Sequence, residues 1–347
     1  MRVPGWVGVG IFTLLYGCAG LPPGADFVKP VASALPHPEL TRLGQQFADT
    51  ARAHQGKSGF RMILAGVDGF LLRMQMINAA ERSLDLQLAN IAALTSVASS
   101  QTLRDIINGR LTLIWAHGQL LSDSPDKNQV EKGVSVGRLM NQAVASTAQT
   151  VKSELLIITP YLIPGSEGMP LFADLRQHAV RIRLLTNSLN SSEMLLAQSA
   201  YMHYRQEMLE QGVELYEIKA FLANSRGSGQ TPAISRYGNY SLHAKLFVFD
   251  RQKLFIGSMN FDQRSMHVNT EIGLIIDSPA LAEQVAARFA AMVQPGNCYQ
   301  LAFQANRLVW RTAEAGQAIE YEWEPARSAW QRFEVNLLSL MPVDDEL

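Results

Sequence analysis

The stretch His243-Ala244-Lys245-Leu246-Phe247-Val248-Phe249-Asp250-Arg251-Gln252-Lys253-Leu254-Phe255-Ile256-Gly257-Ser258-Met259-Asn260 decides how this chain is read. Two apolar runs, 245–249 and 253–256, flank a turn at 250–252 and predict a strand pair. Strand alternation puts His243 and Lys245 on one face. An imidazole titrates near neutrality and can attack phosphorus or protonate a leaving oxygen. A lysine two residues away can hold the phosphate on which the imidazole acts. Gly257 permits close backbone approach, and Ser258 and Asn260 alternate onto one side as donors for phosphate oxygens. Glu271 opens the next apolar run, 271–276, where a carboxylate can orient the histidine. A lone strand histidine is usually a satisfied polar residue. Its companions at fixed spacing reverse that expectation and point to phosphodiester chemistry.

Moving outward, helical and strand patterns alternate. Helical spacing covers 139–151, 171–176 and 194–210. Strand runs cover 155–159, 180–185 and 213–218, with Gly212 ending the helix before the last. This rhythm predicts an α/β sandwich with a mixed sheet. An earlier helix-then-strand pattern has a loop at 66–70, a helix from Phe70 to Ala80 and a strand at 83–88. The later pair at 139–159 repeats it, an internal duplication in outline. Residues 89–109 lack periodicity and are read as a linker or weak helix.

The chain has 347 residues, a formal net charge of −1 and 47% apolar types. That is enough for a large core, and bulk charge gives no reason to expect nucleic acid as a partner. Met1-Arg2 and the uncharged run Val3–Tyr16 read as a signal peptide, shorter than the about 20 apolar residues of a membrane span. The run ends in Leu15-Tyr16-Gly17-Cys18, which resembles a bacterial lipoprotein box with Cys18 as the lipidated residue. Ala19-Gly20 lacks an inner-membrane retention aspartate, so the expected place is the periplasmic side of the cell envelope, the outer membrane favoured. Residues 21–37, rich in Pro, Gly and Ala, form a tether. If Cys18 carries lipid, Cys298 has no disulfide partner, and two distant cysteines exclude a cysteine zinc site. No metal and no cofactor is expected.

The constellation resembles the phospholipase D superfamily, whose signature is His-x-Lys-x4-Asp followed by Gly-Ser-x-Asn. The resemblance extends to Trp115-Ala116, 123–127, Thr159-Pro160-Tyr161, 185–188, 236–240, 262–265 and 324–330, which are similar to bacterial cardiolipin synthase-like lipoproteins. It implies His243, Lys245 and Glu271 in catalysis, and Lys245, Ser258 and Asn260 on the phosphate. Asp250 and Gly257 are then structural. It also implies a phospholipase D-type fold with one complete C-terminal half and a truncated N-terminal half. The divisions are 1–18 (signal), 19–60 (tether and first helix), 61–109 (truncated half and linker), 110–300 (catalytic half) and 301–347 (C-terminal extension).

Members of that branch carry two motifs, one per half. Here His37, His54, His117, His178, His203 and His267 all lack a lysine two residues on. The N-terminal half breaks off near Leu88, as after an internal deletion or a joining of two gene fragments. The expected activity is phosphatidyl transfer on a phosphatidylglycerol-like phospholipid through a phosphohistidine. A homodimer would supply the second motif in trans. The alternatives are an inactive remnant that still binds phosphate and, on a different substrate, a nuclease. His203 reads as a surface or packing residue and its neighbours Tyr201 and Tyr204 as core, though these tyrosines can also line a headgroup pocket. Arg236 and the 224–229 loop stand as candidate edges of the phosphate site.

Overall fold

The computed structural model describes residues 35–63, 66–81, 112–127, 139–222 and 240–341. The elements all belong to the compact unit His37–Leu347. In chain order they are α1 (Arg42–Ala53), β1 (Ser58–Phe60), α2 (Gly66–Ala79), β2 (Ile114–Ser122), α3 (Met140–Ala148), β3 (Glu154–Ile158), α4 (Gly165–Gln177), β4 (Arg181–Asn187), α5 (Leu195–Glu210) and β5 (Glu214–Ile218). Then follow β6 (Leu246–Phe249), β7 (Lys253–Gly257), α6 (Gln263–His267), β8 (Ile272–Asp277), α7 (Pro279–Met292), β9 (Cys298–Gln304), β10 (Arg307–Glu314), β11 (Gln317–Tyr321) and α8 (Ala329–Leu338). The expected strand at 83–88, the linker at 89–109, the signal segment with Cys18, Arg236 and the 224–229 loop lie outside the described residues.

The strands form one sheet in the order β1-β2-β8-β7-β6-β3-β4-β5-β9-β10-β11. Only β3–β4 and β4–β5 pair in parallel, so the sheet is mixed. Its middle is buried on both faces, which explains why Glu154-Leu155-Leu156-Ile157-Ile158 reads as an apolar run without alternation. Leu155 and Ile157 pack on one face with Val144, Phe172, Leu175, Tyr201 and Met208 from α3, α4 and α5. Leu156 and Ile158 pack on the other with Leu281, Val285 and Phe289 of α7. Each fully buried phenylalanine or leucine contributes about 1.5–3 kcal/mol. Burial therefore outweighs local propensity, which is worth tenths of that per residue.

Several boundaries differ from the sequence reading, each for a physical reason. The 66–70 segment, expected as a loop, is the first turn of α2. The helix expected from 171 begins at Gly165 and runs through Gly168 and Pro170. Gly and Pro signal a break in sequence, but here a Cβ at position 168 would come 2.9 Å from the Phe261 ring, so the glycine serves close packing. Residues 301–347, drawn as an extension, continue the same sheet through β9, β10 and β11, and β9 itself spans the boundary drawn at 300. Strand β6 starts at Leu246, one residue later than expected, although the Gly257 N–H still bonds the Lys245 carbonyl. No helix among the described residues is long and apolar enough to cross a membrane.

Candidate active site

β6 and β7 are joined at one end of the sheet by a turn in which Asp250 (φ 51°) and Arg251 (φ 56°) are both left-handed. Aspartate tolerates that region better than most residues. The Asp250 carboxylate accepts the Lys152, Ser153 and Glu154 N–H groups at 2.8, 2.7 and 2.9 Å, and the Ser153 hydroxyl at 2.6 Å. Burial raises its pKa, but the bonds from Ser153, Glu154 and Lys152 prevail and hold it below the ordinary value. Asp250 thus welds this turn to the start of β3, at the end of β6 remote from His243.

At the opposite end, β6 begins and β7 stops, and the motif's remaining residues converge. His243 is exposed, and Lys245 behind it is buried. Lys245 Nζ lies 3.4 Å from His243 Nε2 and donates to the His243 carbonyl at 3.0 Å. Burial lowers the Lys245 pKa to about 8, against the pull of Glu271 and Asp262. Burial and the neighbouring ammonium together lower the His243 pKa, and Glu193 opposes them. Both effects favour the neutral imidazole over the imidazolium.

Ser258 donates a short hydrogen bond from Oγ to Glu271 Oε2, and Ser258 Oγ in turn accepts the Ile272 N–H at 3.0 Å. Glu271 thus bonds Ser258, whereas the sequence reading set it against His243. Its charge reaches Lys245 instead, favouring the ammonium. Asn260 hydrogen-bonds Asp262 and helps restrain a carboxyl whose pKa burial raises. The buried Asn260 Oδ1 has no hydrogen-bond partner among the described residues. Gly257 faces Gly273 across the ladder, and a Cβ there would sit 2.7 Å from the Ile272 carbonyl oxygen. Only glycine lets β7 approach β8 this closely just ahead of Ser258.

Three supports escaped the sequence reading of roles. Asn187, at the end of β4, accepts the Leu242 N–H at 2.8 Å and donates to the Leu242 carbonyl at 3.0 Å. This two-way clamp fixes the backbone beside His243. Asp123 accepts the Lys127 ammonium, the Met140 N–H at 2.8 Å and the Glu271 N–H at 3.1 Å. Lys127, fully buried, also donates to the Ser265 carbonyl at 2.9 Å. The pair thereby ties β2, α3, α6 and Glu271 together under the site. Glu193, in the loop before α5, lies close enough for its charge to act on both His243 and Tyr161. The first two lie in segments quoted for their resemblance, but apart from the Asp123–Lys127 pair their hydrogen bonds join residues 17 to 148 apart in sequence, which no local pattern reports.

Among the other histidines, His203 is exposed and its Nε2 lies 2.9 Å from the Ser339 carbonyl. His117 is exposed on β2, and His267 stands 3.6 Å from Glu167. Tyr201 is buried and Tyr204 packs against the core.

Comparison with known proteins gives a consistent picture. Residues 144–293 match the family described as cardiolipin synthase, PLD-like domain. The chain is 34% identical over 252 residues to cardiolipin synthase C of Escherichia coli (strain K12), covering 72% of this chain and 52% of that protein. It is 27% identical over 149 residues to cardiolipin synthase A of Buchnera aphidicola subsp. Schizaphis graminum, covering 43% of this chain and 26% of that protein. The chain thus spans about half the length, or less, of these curated relatives. Among solved structures, it is similar to the phosphatidylserine synthase of Haemophilus influenzae Rd KW20. The TM-score is 0.40 at 15% identity, covering 72% of this chain and 56% of that one.

Proposed function

The chain belongs to the phospholipase D superfamily, on its cardiolipin synthase-like side, and from that premise we propose that it transfers phosphatidyl groups through a phosphohistidine at His243. The observation that carries this reading is His243 Nε2 lying 3.4 Å from the Lys245 ammonium, whose charge is met by Glu271 and Asp262, the partners of Ser258 and Asn260. Nε2 attacks the phosphorus of a phosphatidyl group. An N–P bond forms as the P–O bond to the departing alcohol breaks, and that oxygen takes a proton from a second imidazole, which enters this step protonated. An acceptor hydroxyl then attacks the phosphohistidine, returns a proton to the second imidazole and breaks the N–P bond. Lys245 and Ser258 hold the phosphate oxygens throughout.

The sequence has one such motif, so the second imidazole in this proposal is His243 of a second copy. The substrate is a phospholipid of the phosphatidylglycerol kind. Conversion of phosphatidylglycerol to cardiolipin is expected to rise faster than linearly with protein concentration. When wild type is mixed with His243→Ala protein, activity should fall as the square of the wild-type fraction. No cardiolipin at any concentration overturns the transfer reading and leaves an inert phosphate-binding chain. Digestion of labelled DNA instead would move the chemistry to a nuclease. A linear fall on mixing overturns the shared site alone.

The same reading places the protein on the periplasmic side of a bacterial envelope, the outer membrane favoured, tethered through lipid on Cys18. Expression in a bacterium with labelled palmitate should give a labelled chain in the membrane fraction, and Cys18→Ser should give no label. Equal label on both proteins would refute the anchor.

A further inference from the structure

The C-terminal helix α8 presents an apolar stripe that nothing in the proposed chemistry uses. Ser328 caps it, accepting the Gln331 N–H, and Gln331 and Val335 turn inward. Trp330, Phe333 and Leu337 are exposed, and their spacing of three and four residues keeps them on one side of the helix. Leu340 and Met341, in the turn that follows the helix, are exposed too, Leu340 to 80%. The Trp330 and Phe333 rings lie against each other, centroids 5.3 Å apart. Trp323, just ahead of the helix, is also exposed. Soluble surfaces scatter single apolar side chains, whereas a contiguous stripe of this size marks a docking face.

Two further observations say what covers it. A cavity of about 360 Å³ borders α8, lined by Arg205, Arg307, Arg332, Trp310 and Trp323 together with the carboxylates of Glu322 and Glu324. Arg332 donates from Nε to the Glu324 carbonyl, which leaves its terminal N–H groups for an anion. Arg307 pairs with Glu322 at 3.2 Å at the rim. Arginines beside an exposed tryptophan-bearing stripe match the boundary of a bilayer, where headgroup phosphate meets acyl chains. The helix is also braced to the catalytic rim. Gln331 donates to the Leu189 carbonyl at 2.9 Å, and Arg327 donates to the Asn190 and Ser192 carbonyls at 2.7 and 3.2 Å. The next residue, Glu193, is the one whose charge acts on His243.

We propose that α8 docks the protein on an anionic phospholipid bilayer. Trp330, Phe333, Leu337 and Leu340 enter the headgroup–acyl boundary, and the Arg332 cavity takes a headgroup phosphate. This rests on the reading that the substrate is a bilayer phospholipid. It adds that the surface which grips the bilayer is tied through Arg327 and Gln331 to the loop beside the nucleophile. Docking of this kind is separate from any lipid on Cys18.

The test compares full-length proteins by sedimentation with vesicles of phosphatidylcholine, alone or mixed with phosphatidylglycerol. Wild type should bind the mixed vesicles. The triple variant Phe333→Ser, Leu337→Ser, Leu340→Ser should bind them at least about tenfold more weakly, although each changed side chain is exposed. Arg332→Gln should retain binding to phosphatidylcholine and lose the gain from phosphatidylglycerol. Any contribution of the apolar run Val3–Tyr16 is common to all variants and cancels. Should the triple variant fail to fold, quenching by brominated lipid, present in wild type and diminished in Trp330→Phe, reads the same contact. Equal vesicle binding by wild type and triple variant overturns the proposal. So does full competition by inorganic phosphate, which would mark a soluble-anion site, or a change in oligomeric state with vesicle binding intact, which would mark an interface between copies. His243→Ala should bind vesicles as wild type does, so loss of docking and absence of turnover are read separately.

Discussion

Replacing His243 with alanine is expected to lower phosphodiester turnover by on the order of 10⁴-fold or more while leaving the unfolding midpoint unchanged. The two halves of that expectation come from different observations. The side chain is exposed and its Nε2 lies 3.4 Å from the Lys245 ammonium, outside the packed core, so its removal should cost the fold little. In the proposed mechanism, turnover loses the atom that forms the N–P bond. The pH profile should carry the signature of Lys245. Its folded pKa is lowered to about 8, so the ammonium that holds phosphate is present below that pH and lost above it. Burial and the Lys245 ammonium lower the His243 pKa from its ordinary value, which favours the neutral nucleophile. The rate should therefore fall on the alkaline side near pH 8, chiefly as a rise in KM. Lys245→Arg keeps its charge in this range and should remove that limb, at a lower plateau because the guanidinium fits a site shaped for an ammonium less well. An alkaline limb unmoved by Lys245→Arg would show that another group sets it.

How much of this was legible in the sequence depends on the range of the interaction. The strand pair around 250–252, the alternation that sets His243 beside Lys245 and the parallel run β3-β4-β5 are local or periodic, and pattern reports them directly. The helix α4 was half hidden, because Gly165, Gly168 and Pro170 spell a break and only the packing of Phe261 against Gly168 explains the helix. Strand position set Glu271 against His243, yet its partner is Ser258, 13 residues away in sequence. The choice between Ser258 and His243 depends on strand register, which spacing alone does not give. Asp123, Lys127 and Asn187 act on residues far along the chain, so their segments could be noticed and their work could not. The final sheet β9-β10-β11 was passed over as an extension because its strands are half-exposed and charged at alternate positions, with Arg307, Arg311, Glu314 and Glu320 facing solvent.

The largest stability effect is expected far from the nucleophile, at Arg205. This side chain on α5 is 1% exposed and sits between two carboxylates, with its Nε 3.1 Å from Glu217 on β5 and its terminal nitrogen on Glu324 after β11. Trp310 on β10 donates to Glu217 at 3.1 Å, Gln198 donates to Glu324 at 3.3 Å, and the guanidinium lies 4.5 Å over the Tyr201 ring. Arg205→Met keeps the volume but strands two buried carboxylates, which costs about 3–5 kcal/mol. Replacing Arg205, Glu217 and Glu324 together with apolar residues should recover most of that loss, since the penalty belongs to uncompensated charge rather than to the pair's net worth. The deficit should depend on pH with a definite sign. Burial pushes the Glu217 carboxyl up to about 7 even with Arg205 beside it. A folded pKa above the unfolded value of about 4.3 means that the stability this group contributes is full below that pH and is lost as pH rises toward the folded value. Without the cation that lowers it, the folded pKa climbs further and the loss extends to higher pH. Urea unfolding of Arg205→Met should therefore show a smaller deficit at about pH 5 than at about pH 8, and a deficit equal at both would place the cost in packing instead. Because Glu324 also receives Arg332 of α8 through its carbonyl, the same substitution should loosen that helix. Vesicle binding by Arg205→Met should then weaken together with its stability, and would separate from it only if α8 is held by its contacts to the 189–192 loop alone.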